Sequence, residues 1–286
     1  MPRRYVQLDV FAPRPGSGNP LGVVLDAGDM DTAAMQALAA WLNLSETVFF
    51  LPPDSGADYH VRIFTPGSEL PFAGHPSVGA AWAAVTHGLA TPRTGRLVQQ
   101  CKAGLLPVTV AGDADNLRIN VRSPRGQCIA SAPMAMPAQL QQIAHPDSTA
   151  ELWRNGPSWW LVEATSARQL RALRPDFSAI AAWSNATAAT GVTVYAREDA
   201  DSHAIAVRAF CPGDAVGVPE DPVTGSANAL VAARLHAQGR LPGTRYIASQ
   251  GRELGRDGHV HVHVDDAGEV WIGGQVQQII HGQLDW

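Results

Sequence analysis

Glu46 is the residue in this sequence to which chemistry attaches most directly. From Thr32 to Pro53 it is the only Asp, Glu, Lys or Arg, set in the apolar run Leu42-Asn43-Leu44-Ser45-Glu46-Thr47-Val48-Phe49-Phe50. A carboxylate entering an apolar strand is disfavoured as an ion, so its pKa is expected to rise toward the range of a general base. The plainer alternative is a Glu at a strand edge facing water. Asp221, with Glu220 beside it, immediately precedes a helix start. It reads either as a second acid or orienter of His75, or simply as a favourable charge near a helix N-terminus. His75 has two readings as well, a proton shuttle near neutral pH or a helix cap.

These residues depend on an element that the chain writes twice. The stretch Pro71-Phe72-Ala73-Gly74-His75-Pro76 has a counterpart in Pro222-Val223-Thr224-Gly225-Ser226, about half the chain away. Each copy follows an Arg-x-Phe-x-Pro-Gly segment, Arg62 to Gly67 and Arg208 to Gly213, and each runs into an apolar, Ala-rich stretch ending at Gly88 or Gly239. Two related halves follow from this. Each copy signals a helix start: Gly-His-Pro places Pro just inside the helix, and Gly-Ser-Ala offers Ser226 as N-cap. Both helices are nearly apolar all round and therefore buried. Their first-turn N–H groups need partners, and an anion at the positive end of the helix is a suitable one. One such start is more simply a capped helix; two in a duplicated chain point to a shared site between the halves. The position matching Glu46 lies near Gly191, and that matching Asp221 is Leu70, so each half lacks the other's acid.

The remaining pattern predicts strands near 5–11, 21–25, 47–51, 60–65, 96–101, 105–111 and 116–121 in the first half. A helix over 31–42 is capped by Asp29 or Asp31. Ser123-Pro124-Arg125-Gly126 breaks the pattern, placing domains at 1–123 and 124–286 with a last strand able to return to the first. The second half gives strands near 159–163, 192–196, 204–210, 245–249, 259–264 and 269–273. It also gives a mostly helical 168–183 and a hairpin turn at Asp265-Asp266-Ala267-Gly268. Loops 12–18 and 213–220 are expected to shape the pocket. Strands outnumber helices without βαβ alternation, so the fold class is α+β: two similar domains, each a mostly antiparallel sheet around a central buried helix.

Net charge −5 among 286 residues gives no reason to expect nucleic acid or an anionic membrane as partner. No apolar run approaches the roughly 18 residues of a membrane span, and no signal peptide is read at the N-terminus. Three cysteines, Cys101, Cys128 and Cys211, lack metal or redox spacing; Cys211 reads as a buried structural thiol, and a reducing cytoplasm is expected. His259, His261 and His263 alternate with valines and so share one strand face. No carboxylate or cysteine spacing supports a metal there, so they read as the polar side of a hairpin, and no metal is expected. Phosphate-loop motifs are absent and no cofactor is implied.

Several motifs together resemble the PhzF-like, or phenazine-biosynthesis-like, family. They are Asp9-Val10-Phe11, Gly18-Asn19-Pro20-Leu21-Gly22-Val23, Asn43-Leu44-Ser45-Glu46-Thr47, Arg62-Ile63-Phe64-Thr65-Pro66, the two helix-start segments, Ser249-Gln250-Gly251 and Gly273-Gly274. The resemblance covers essentially the whole chain and implies a diaminopimelate-epimerase-like fold, a homodimer and an active site between the halves. It implies further that Glu46 moves a proton between carbons of a small carboxylate-bearing substrate without a cofactor. His75, Asp221, Ser226, Asn19 and the amides of Gly74 and Gly225 would line the pocket. The two-thiol mechanism of the epimerase relatives does not transfer, because Ala73 and Thr224 stand at the corresponding places. Gly74-His75-Pro76-Ser77-Val78 also departs from the commoner Gly-His-Ala-Thr pattern of the family. A cofactor-independent isomerase is therefore the expected function; a dehydratase, a one-base epimerase of a hydroxylated amino acid, and a non-catalytic binding scaffold are the rivals.

Overall fold

The computed structural model describes residues 2–112, 117–131, 136–200, 203–213 and 219–286. Residues 214–218 of the loop expected to shape the pocket lie outside the described residues, as does Asn116 at the head of one predicted strand. The first half runs β1 (Arg3–Val10), β2 (Asn19–Val24), α1 (Thr32–Leu42), β3 (Glu46–Leu51), β4 (Tyr59–Phe64), β5 (Glu69–Leu70), α2 (Gly74–Thr86), β6 (Arg96–Cys101), β7 (Gly104–Ala111) and β8 (Arg118–Arg122). The second runs β9 (Gln127–Ser131), α3 (Ala138–Ile143), β10 (Glu151–Arg154), β11 (Ser158–Glu163), α4 (Ala167–Ala172), α5 (Phe177–Ala186), β12 (Gly191–Ala200) and β13 (His203–Phe210). It continues through β14 (Glu220–Asp221), α6 (Gly225–Ala237), β15 (Arg245–Gln250), β16 (Gly258–Val264), β17 (Val270–Gly274) and β18 (Val276–Leu284).

Pairing repeats between the halves. β2 and β3 are parallel across α1, as β11 and β12 are across α4 and α5. β4 and β6 are parallel across α2, as β13 and β15 are across α6. The remaining ladders are antiparallel. β8 pairs with β17 and joins the halves, while β18 returns to pair with β1. This is an α+β architecture with a mostly antiparallel sheet around one buried helix in each half, as the strand-rich pattern leads one to expect. The tightest repeat lies at the sheet edges. Arg62 binds Glu69 and Arg208 binds Glu220, each at 2.8 Å, and each guanidinium lies over a Phe, at 5.0 and 4.9 Å.

Both central helices are buried from their first residue. Gly79 lets α2 press onto the first sheet: a Cβ there would stand 2.4 Å from Leu21 Cδ2. Asp31 caps α1 by accepting from the Ala34 N–H. The caps of the buried helices differ from expectation. Ala73 and Thr224 are the N-cap residues, and neither makes a side-chain cap bond; His75 and Ser226 sit one residue inside their helices. The backbone is already extended at Ala73 and Thr224, so the helices begin at glycine and their first-turn N–H groups are left to other partners. The predicted helix over 168–183 is broken into α4 and α5, because Pro175 disfavours helical backbone at Arg174. Val260, Val262 and Val264 are buried, and the alternating histidines lie on the opposite face. Among the described residues no His/Cys/Asp/Glu group is arranged to hold a metal.

Candidate active site

Glu46 opens β3, a strand that must be apolar because α1 covers it on one side and α2 on the other. That placement brings its carboxyl inside the protein, where Glu46 is 7% exposed. Its Oε2 lies 3.3 Å from Nδ1 of His75, the second residue of α2. The contact is at ion-pair distance but is not aligned as a hydrogen bond, and Oε2 has no hydrogen-bond partner among the described residues. Burial pushes His75 down to about 3, so its imidazole is neutral and gives Glu46 no positive charge. Burial, with the charge of Asp221 as a second cause, holds the Glu46 carboxyl well above the ordinary carboxylate range.

Asp221 ends β14 directly ahead of α6. Its Oδ1 accepts from Asn19 Nδ2 at 2.8 Å and its Oδ2 from the Thr224 hydroxyl at 2.6 Å. Burial raises its pKa, the two hydrogen bonds oppose that rise, and Glu220 adds to it. The charge of Asp221 raises the proton affinity of Glu46, so the two titrate as a pair. Donors favour the ionised form of Asp221, and none is bonded to Oε2 of Glu46 among the described residues, so Glu46 is the acid of the pair whose proton affinity is the less opposed. Asn19 crosses from the first half to reach Asp221, and its other amide hydrogen goes to the Val223 carbonyl at 3.0 Å. His75 Nδ1 lies beyond these, 3.4 Å from the same nitrogen.

The two helix starts meet at glycine. A Cβ on Gly74 would stand 2.7 Å from Gly225 Cα, and one on Gly225 would stand 2.8 Å from Gly74 Cα. Only residues without side chains let the backbones approach so closely. Glu46, His75, Asp221, Asn19, Gly74, Gly225 and Ser226 are thus gathered at one junction between the halves, joined by these contacts and by the helix starts themselves.

Four further residues at the junction were not singled out as site residues. Gln250 is fully buried; its Oε1 accepts from the Thr224 N–H and the Asn228 amide, and its Nε2 donates to the Asp221 carbonyl and the Thr224 hydroxyl. Thr224 is the hydroxyl that Gln250 orients toward Asp221. On the second-half side, Trp159 donates its indole N–H to Ser226 Oγ at 3.2 Å, and Asn155 donates to the Ser226 carbonyl at 3.0 Å. Sequence carried a signal for Gln250, in Ser249-Gln250-Gly251, and for Thr224, in the second helix-start segment. Trp159 is marked in the sequence only as the first residue of the predicted strand 159–163. Cys211 is fully buried, and burial next to Asp221 and Glu46 pushes its thiol well above the usual range, consistent with a structural role.

Comparison with known proteins agrees with this architecture. The profile of the PhzC-PhzF family, described as phenazine biosynthesis-like protein, matches residues 8–282. The chain is 34% identical over 270 residues to the trans-2,3-dihydro-3-hydroxyanthranilate isomerase of Pseudomonas aeruginosa, spanning 93% of this chain and 92% of that one. It is 32% identical over 292 residues to antisense-enhancing sequence 1 of Schizosaccharomyces pombe, spanning 98% and 97%. A solved structure of a predicted epimerase from Pseudomonas aeruginosa superposes with a TM-score of 0.79 at 30% identity, over 99% of both chains. With a family profile matched from Leu8 to Gly282, this chain belongs to the PhzC-PhzF family of phenazine biosynthesis-like proteins.

Proposed function

We propose that this isomerase moves a proton between carbons of a small carboxylate-bearing substrate, with Glu46 as the single general acid/base and no cofactor. The observation that carries the reading is a buried carboxyl with no cation beside it among the described residues, placed at the junction of two helix starts that lack side-chain caps. Removing a proton next to a carboxylate builds negative charge on that group. The partial positive ends of α2 and α6 and the Ser226 hydroxyl are suited to hold it. Glu46, with its raised proton affinity, takes the proton from one carbon and returns it to another. Asp221, held in place by hydrogen bonds from Asn19 and Thr224, and the neutral His75 fix the orientation of substrate and base.

The relative's name supplies the substrate for the test, trans-2,3-dihydro-3-hydroxyanthranilate. Turnover in deuterated water is expected to give a product of the same composition labelled at one carbon, with the label lost in Glu46→Gln. A product lighter by one water identifies a dehydratase instead. Full activity in Glu46→Gln removes Glu46 from the mechanism. The homodimer, the cytoplasmic location and the division of the chain at Ser123-Pro124 belong to the same proposal. Sedimentation of the purified protein tests the first of these.

A further inference from the structure

The duplicated halves allow each site residue to be compared with its counterpart. Arg62 and Arg208 anchor the alignment, and strand register extends it. Phe49 pairs with Arg62 as Val194 pairs with Arg208, which makes Glu46 the counterpart of Gly191. Glu46 pairs with Leu21 across β2 and β3, and Gly191 with Trp159 across β11 and β12, so Leu21 corresponds to Trp159. His75 and Ser226 correspond as the second residues of α2 and α6. In the first half an acid leans on the histidine of its helix start. In the second half an indole occupies the matching region and donates to the serine of its own.

Nothing larger than glycine fits at 191: a Cβ would stand 2.1 Å from the Phe210 carbonyl oxygen and 2.8 Å from the Trp159 ring. Trp159 therefore fills the space that a second base would need. An indole N–H can only donate, so Ser226 Oγ must be the acceptor of that bond. Its own hydrogen remains for another acceptor, and among the described residues none takes it. Trp159 and Ser226 are 3% and 5% exposed, so bulk water does not orient the pair.

We propose that Trp159 is a positioning residue that turns the Ser226 hydroxyl into a donor aimed at the carboxylate of the bound substrate. This rests on the reading of the junction as a carboxylate site and adds the group that sets the direction of one of its donors. A donor so held loses little freedom when the substrate carboxylate arrives.

The test measures calorimetric binding of 3-hydroxyanthranilate, a stable aromatic carboxylate, to the full chain and to Trp159→Phe, Ser226→Ala and the double variant. Trp159→Phe is expected to weaken binding roughly three- to tenfold, the worth of one neutral hydrogen bond, and Ser226→Ala roughly ten- to a hundredfold, because it deletes a hydrogen bond to a charged group. The double variant is expected to bind no worse than Ser226→Ala, because Trp159 acts only through that hydroxyl. Ser226→Thr, which keeps the hydroxyl, is expected to restore part of the affinity and its sensitivity to Trp159→Phe. Should Trp159→Phe not fold, benzothienylalanine at position 159 keeps the ring shape and deletes only the N–H. Losses that multiply in the double variant, or an unchanged affinity when only the N–H is deleted, overturn the proposal. Wild-type protein that binds no probe overturns it together with the carboxylate-site reading. Normal binding with full turnover in Glu46→Gln overturns the assignment of Glu46 and leaves Trp159 standing.

Discussion

Glu46→Gln separates the catalytic cost of the buried acid from its effect on stability. The substitution keeps the shape of the side chain and removes only the titrating group beside His75 Nδ1, which lies 3.3 Å from Oε2. Activity is expected to fall by about 10²–10⁴, the usual contribution of a positioned acid/base. Stability is expected to change in the opposite sense. Burial lifts the folded pKa of Glu46 above its ordinary value of 4.5. Below that value both folded and unfolded chains hold the proton, and burial of the carboxyl carries no ionisation cost. As pH rises past it, the unfolded chain ionises first, so wild-type stability falls until the folded group ionises too. Each tenfold gain in proton affinity on folding is worth about 1.4 kcal/mol of this loss. Glutamine has no such term. Thermal melts of both proteins from pH 4 to 8 should show the variant gaining on wild type as pH rises, with the gap closing toward pH 4. A gap that does not depend on pH would refute the argument that Glu46 is desolvated and held without a counter-charge.

Two other predictions follow from contacts at the junction and at the sheet edges. Gly74→Ala or Gly225→Ala pushes a methyl into the facing backbone, which cannot yield as a side chain would. Each is expected to cost about 1–3 kcal/mol in denaturant melts, together with activity. The two repeated ion pairs are expected to differ in worth because their burial differs. Arg208→Met leaves Glu220, whose side chain is 4% exposed, without its partner and is expected to cost about 3–5 kcal/mol. Arg62→Met acts on a pair with side chains 21% and 17% exposed and is expected to cost about 1 kcal/mol in the same melts.

Legibility followed the strength of the local physical signal. The repeated helix starts were readable because glycine, proline and long apolar runs are scarce in combination, and the α+β class followed from them. The lone charge at Glu46 marked its own burial. β9 and β18 were not readable: β9 is exposed throughout and β18 along most of its length, so neither shows the alternation that one buried face imposes. The caps were misread because Ser226 is a good capping type, while the extended backbone at Thr224 is set by tertiary contacts, among them the Gln250 side chain on its N–H. Trp159 was missed for a related reason. Its meaning lies in what stands at the matching place in the other half, and that correspondence needs the strand register. Glu46 with Gly191 and Asp221 with Leu70 are legible in the sequence, because the linear repeat aligns those positions without it.

That asymmetry has a stereochemical consequence. A duplicated cleft with one base in each half would take a proton from one face of a substrate and return another to the opposite face. Here one half supplies Glu46, and the other supplies an indole over a glycine that tolerates no side chain. Asp221, the other carboxyl at the junction, is tied by Asn19 and Thr224 and is poorly placed to exchange protons. The proton is therefore expected to leave and return on one face, carried by one carboxyl that turns between two carbons. Product formed in deuterated water from stereospecifically labelled substrate should carry deuterium on the face that lost its proton. Some of the original label should also be retained where transfer outruns exchange with solvent, as Glu46 is 7% exposed. NMR of the product reads both. Deuterium on the opposite face would require a second base, and with Gly191 closed to any side chain the one-base mechanism would have no way to supply it.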